Sequence, residues 1–134
     1  MINLFKYGAL ATVLAVLAGC SSSAQKQKKH LELLADNRAQ LLSSELPLEA
    51  GPLSIMRASA KGTTIEIMMV YNQDAQGAKP TSAVLNYSIN TYCSNPAIKK
   101  TNLDAGLTYR IKMRNTRGQL MADELISAQR CDSE

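Results

Sequence analysis

The sequence predicts an α+β fold: a small antiparallel sheet of four to five strands in helix–hairpin–helix–hairpin order, with helices covering one face and one disulfide. Three observations carry this expectation. Apolar and polar residues alternate through Thr63–Tyr71 and again through Leu107–Arg114, which is the period of a half-buried strand. Apolar residues recur at helical spacing in His30–Ser44 and in Pro80–Ser94. Glycine-bearing turns at Lys61-Gly62 and Asn115-Thr116-Arg117-Gly118 separate the strand patterns into hairpins.

The chain begins with an address segment. Lys6 precedes an apolar run, Tyr7–Leu17, and the run closes on Leu17-Ala18-Gly19-Cys20 followed by three serines. This order resembles a bacterial lipobox, in which the bond before Cys is cut and the Cys thiol is lipidated, palmitate being among the chains such a residue carries. The alternatives are a transmembrane helix, for which the run is shorter than the roughly 18 residues a span needs, and a plain secretory signal, which has no need of a Cys at that point. Residues 1–19 therefore read as a lipoprotein signal peptide, with Cys20 as the lipidated residue. In such proteins an Asp after the Cys retains the protein at the inner membrane. Ser21 here points to the periplasmic face of the outer membrane.

Residues 20–29 read as a flexible tether, small, polar and basic, with an end-to-end distance of roughly 15–18 Å for its nine polar residues. Lys26, Lys28 and Lys29 suit either lipid phosphates or simple solubility. Residues 30–134 form the folded domain. Its first helix carries Leu31, Leu34, Ala35, Leu41 and Leu42 on one side and ends before Pro47 and Gly51-Pro52. The first hairpin follows: Leu53 and Ile55 alternate with Ser54 and Met56, then Ile65, Ile67, Met69 and Tyr71 with Thr64, Glu66, Met68 and Val70. After a polar loop at 72–79, Pro80 opens the second helix, where Ala83, Val84, Tyr87 and Thr91 share a face. Residues 97–106 fit a helical turn or an irregular strand. The last hairpin pairs Leu107–Arg114, whose Leu107, Tyr109, Ile111 and Met113 point one way, with Gln119–Ser127.

Composition excludes several functions. The formal net charge of +4 is small and there is no Trp, while the one Phe lies in the leader, so neither a basic track nor a stacking platform for nucleic acid is present. Beyond Cys20 the cysteines are Cys93 and Cys131. In an oxidising periplasm such a pair most simply forms a disulfide, worth about 4 kcal/mol by loop entropy. A redox or metal pair would call for a Cys-x-x-Cys or histidine partners, and the single histidine, His30, is remote. No catalytic triad, zinc motif, phosphate loop or calcium loop is present, and Asp123 and Glu124, adjacent on a strand, face opposite sides. No enzyme activity, cofactor, metal or small-molecule substrate is expected. Five of the six methionines follow Cys20, all on strand patterns. Met56, Met68 and Val70 fall on the face away from the core, where a solvent face would carry Thr, Lys or Glu. They are the candidate partner-binding residues, for Met adapts to an incoming apolar peptide, unless a loop covers them.

The assembled order resembles the type II secretion pilotins of the AspS (GspS-beta) class. The residues that carry the likeness are Leu33–Leu48 (LLADNRAQLLSSELPL), the hairpin around Ala60-Lys61-Gly62-Thr63-Thr64, Tyr92-Cys93-Ser94-Asn95-Pro96, Asp104-Ala105-Gly106-Leu107-Thr108-Tyr109, and Cys131. The resemblance implies a lipoprotein anchored in the outer membrane that binds the C-terminal segment of the secretin subunit and directs its assembly there. It also implies an intramolecular Cys93–Cys131 disulfide. The competing class is another periplasm-facing interaction lipoprotein, either an envelope structural factor or an inhibitor of a periplasmic enzyme.

Overall fold

The computed structural model describes the backbone of residues 4–133 and the side chains of residues 22–133. The chain divides into two compact units, Met1–His30 and Leu31–Glu134. Helix α1, Leu4–Ser43, supplies the described backbone of the first and enters the second at Leu31. Among the described residues no helix is long and apolar enough to cross a membrane. Cys20 lies outside the residues whose side chains are described. The tether expectation meets a different backbone: residues 22–29 are helical. Ala, Gln and Lys are good helix formers, and nothing in this stretch breaks the helix.

The second unit is built on a five-stranded sheet in sequence order: β1 (Leu48–Ala50), β2 (Leu53–Lys61), β3 (Thr64–Tyr71), β4 (Thr108–Arg114) and β5 (Leu120–Ile126). The α+β class, both hairpins and the inward faces of β3 and β4 are as the alternation required. Ile65, Ile67, Met69 and Tyr71 of β3 are buried, as are Leu107, Tyr109, Ile111 and Met113 at β4. The sheet is antiparallel except at its centre, where β3 and β4 run parallel with Ile65 opposite Tyr109 and Ile67 opposite Ile111. Each hairpin is antiparallel because its arms are joined by a tight turn. The two hairpins are joined instead by a long helical connection, which returns the chain to the end from which β3 started.

That connection holds α2 (Thr81–Ser94), α3 (Pro96–Ile98) and a π-helical turn, Lys99–Leu103, so the ambiguous stretch 97–106 is helical through Leu103 and a turn beyond it. Asn95 caps α3, its side-chain oxygen accepting from the amides of Ala97 at 3.0 Å and Ile98 at 3.4 Å. Gly106, at φ +113°, then turns the chain into β4; a Cβ there would meet the Leu31 side chain at 3.2 Å. Two short elements escaped the sequence reading. One is the edge strand β1, and the other is helix α4 (Ala128–Ser133), which carries Cys131. Neither is long enough to show a period.

Helix α1 buries Ala35 and Ala39 and packs Leu31, Leu34 and Leu42 against the core. Leu41, expected on that side, is 63% exposed. The inward stripe steps by three and four from 31 through 34, 35, 38 and 39 to 42, and residue 41 falls off it. In β2 a bulge between Ile55 and Arg57 leaves Met56 without a partner residue. The bulge shifts the alternation, so Ala58 and Ala60 follow Leu53 and Ile55 on the core side. These small residues let α1 approach, and Ser43 Oγ donates to the Ala58 carbonyl at 2.8 Å.

Cys93, late in α2, is bonded to Cys131 in α4. The bond spans 38 positions and pins the chain's end to the helical layer. Reduction, or the paired change Cys93→Ala and Cys131→Ala, is expected to cost about 2–4 kcal/mol of unfolding free energy, read in urea titration. Ile111→Ala, at the fully buried centre of β4, is expected to cost about 2–5 kcal/mol in the same measurement.

Candidate functional site

The two faces of the sheet differ in chemistry. The face away from the helices carries ion pairs. Glu66, buried despite its charge, receives Lys61 Nζ at 3.4 Å and Lys112 Nζ at 3.5 Å. Arg110 forks onto Asp123, with Nε and Nη2 each donating at 2.7 Å. Glu124 points the other way and accepts from Arg130 at 2.7 Å. The two adjacent acids thus serve separate arginines. Among the described residues no group of three or more His, Cys, Asp and Glu is placed to hold a metal ion.

The sequence-based partner residues lie on this same face but do not gather in one hollow. Met68 stands between Arg57 and Lys112 in the ladder, and Val70 between Ser54 and Arg114. Val70 borders a shallow depression with Glu49 and Ser54. Met56 sits at the bulge, 43% exposed.

The apolar concavity is on the helical side. A groove of about 260 Å³ opens between α1 and α2 over the sheet. Leu42 forms one wall and Tyr87, Thr91 and Tyr92 the other, while Leu53, Ile55 and Met69 form the floor. Past Tyr87 and Leu53 an adjoining hollow of about 490 Å³ extends between α2 and the β1–β2 edge, reaching Ala83, Val84 and Lys79. Tyr71 fixes that end by donating its hydroxyl to the Lys79 carbonyl at 2.5 Å. The Ala83–Val84–Tyr87–Thr91 face read from the sequence is therefore the groove-lining side of α2. The side in the core is turned by about one residue and buries Ser88 and Ile89. Tyr87 is 74% exposed, a large apolar ring in open contact with solvent.

The groove's deep end is aromatic. Tyr92 and Tyr109 stack with centroids 4.8 Å apart at a tilt of 42°, and Tyr109 Oη accepts from Asn102 Nδ2 at 2.7 Å. Burial pushes the Tyr92 hydroxyl up to about 12; Tyr109 adds to the rise and the nearby Arg38 charge opposes it. Tyr92 is thus a neutral hydroxyl throughout the physiological range. Sequence reasoning missed Arg38 and Tyr92 as site residues. The available signal for Arg38 was its place on the inward stripe, a charged residue between Leu34 and Leu42. This site has the form of a docking module, an apolar trough on a rigid sheet.

Comparison with known proteins agrees. The family described as the type II secretion system pilotin, S protein, matches residues 27–131, and the chain belongs to it. The solved structure of the type II secretion system pilotin AspS from Vibrio cholerae is 58% identical over 80% of this chain and 97% of its own, with a TM-score of 0.73. The pilotin EpsS of Vibrio vulnificus is 50% identical over 80% of this chain and 96% of its own, with a TM-score of 0.74. Lipoprotein YghG of Escherichia coli strain K12 is 27% identical over 108 residues, which is 81% of this chain and 76% of that protein.

The ion pairs on the opposite face carry a pH dependence. The hydrogen bonds from Arg110 hold the Asp123 carboxyl below its ordinary value of 3.8. A lowered carboxyl pKa stabilises the fold above the unfolded-state value, and that contribution is lost as pH falls through the folded one. Asp123→Asn is therefore expected to be less stable than the parent above about pH 4 and to converge with it at lower pH, as read from thermal midpoints across that range.

Proposed function

We propose that this protein is an outer-membrane lipoprotein acting as a pilotin. It holds the C-terminal segment of the type II secretion secretin in the groove between α1 and α2 and brings the subunit to the outer membrane for assembly. The observation that carries the reading is the open apolar trough with the exposed Tyr87 ring at its lip. An amphipathic helix laid into such a groove gains affinity by apolar burial and needs no chemistry from its host. Acylation of Cys20 supplies location. One chain alone would hold only marginally, so durable anchoring takes the several chains that lipidated cysteines of this kind carry. The helical segment from Ser22 to Lys29, with Lys26, Lys28 and Lys29, then spaces the domain from the lipid surface.

Cys20→Ala is expected to release the protein from the membrane and to leave the secretin out of the outer-membrane fraction, while the variant still captures the secretin's terminal segment in a pull-down. Normal outer-membrane secretin in that variant would contradict the escort role. Tyr87→Asp is expected to weaken that capture at least tenfold without lowering the thermal midpoint, since the ring contributes little to the core. Met68→Ala and Val70→Ala, on the opposite face, provide the comparison: a larger loss from them than from Tyr87→Asp would move the binding surface to that side.

A further inference from the structure

The mainly apolar groove is lined by one charged residue, Arg38. Arg38 occupies the inward stripe of α1, one turn before Leu42, and borders the groove with its charge close enough to act on the Tyr92 hydroxyl. Its Nε is buried and has no hydrogen-bond partner, and it is the one such side-chain atom among the described residues. None of the ion pairs among those residues includes Arg38; they are made by Lys61, Lys99, Arg110, Lys112 and Arg130. A guanidinium with no hydrogen bond or ion pair from its own chain is an unmet charge, and in a residue that borders an open groove that charge calls for an acceptor from outside.

We propose that Arg38 is a carboxylate receptor: the occupant of the groove is an amphipathic helix that lays apolar side chains over Leu42, Leu53 and Tyr87 and sets an Asp or Glu side chain against the Arg38 guanidinium. The proposal rests on the reading that this groove takes the secretin's terminal segment, and adds the chemistry by which that segment is selected. The planar guanidinium matches a carboxylate in two parallel hydrogen bonds, and the apolar walls shield the pair from salt. The same arrangement rejects a purely apolar helix, which would cover the charge and leave it unpaired.

The test is calorimetric titration of the full chain, purified in detergent, with a synthetic peptide of the secretin's C-terminal segment. Peptide variants carry each Asp→Asn or Glu→Gln in turn. Arg38→Met is expected to weaken binding tenfold or more. One acid-to-amide change is expected to weaken binding to the parent protein by the same factor and to cause no further loss with Arg38→Met. Amidation of the peptide's own C-terminus is expected to change nothing; a loss there equal to that of Arg38→Met would overturn the side-chain assignment. The peptide arm leaves the protein intact, so retention of full affinity by every acid-to-amide peptide overturns the proposal whether or not Arg38→Met folds. Equal or tighter binding by a folded Arg38→Met overturns it too, and leaves the groove's partner standing. Failure of the unmodified peptide to bind the parent protein overturns both.

Discussion

The parallel pairing of β3 with β4 is the constraint on which the rest of this fold depends. Ile65, Ile67 and Met69 lie beside Tyr109, Ile111 and Met113 in one fully buried layer. A parallel pair cannot be closed by a tight turn, so the chain between the two strands has to cross back over the sheet. The crossing supplies α2, α3 and the π-helical turn, and with α1 these cover the apolar side of the pair. At the start of the pairing Thr64 and Thr108 share a hydroxyl hydrogen bond of 2.8 Å. Both hairpins then extend the sheet outward from this centre.

The groove follows from the same crossing. Helix α2 meets the sheet with Ser88 and Ile89, leaving Tyr87 and Thr91 on the side that faces α1. α1 closes down on β2 where Ala58 and Ser43 meet, and stands apart toward Ile55 and Leu53, where larger side chains form the floor. The trough is the gap between two helices held at fixed places on one sheet. Its walls are tied down independently: the disulfide holds the end of α2 to α4, and the Tyr71–Lys79 hydrogen bond holds the loop before α2. Rigid walls reduce the ordering that a partner would otherwise have to impose on binding.

The two faces of the sheet solve different problems. The helical side excludes water and presents an apolar trough with one guanidinium beside it. The open side carries paired charges at its centre, Glu66 between two lysines and Asp123 within the Arg110 fork. A sheet face so occupied gives little purchase to an apolar peptide. Met68 and Val70 are half-buried within that charged ladder, which is why alternation alone, blind to neighbours on adjacent strands, made them stand out.

What the sequence determined by itself was whatever repeats over a few residues. Alternation located β2, β3 and β4 and the inward faces of β3 and β4, the turn at 115–118 implied the returning strand β5, and helical spacing located α2 and the folded end of α1. Each of these is local, because the side-chain direction of a strand or helix follows from its own backbone period. Only the tertiary structure decided the parallel centre of the sheet, the bulge at Met56, the exposure of Leu41 and Tyr87, and the seat of Arg38 at the groove. These depend on how far apart elements come to rest, and no periodicity within an element encodes the distance to its neighbour.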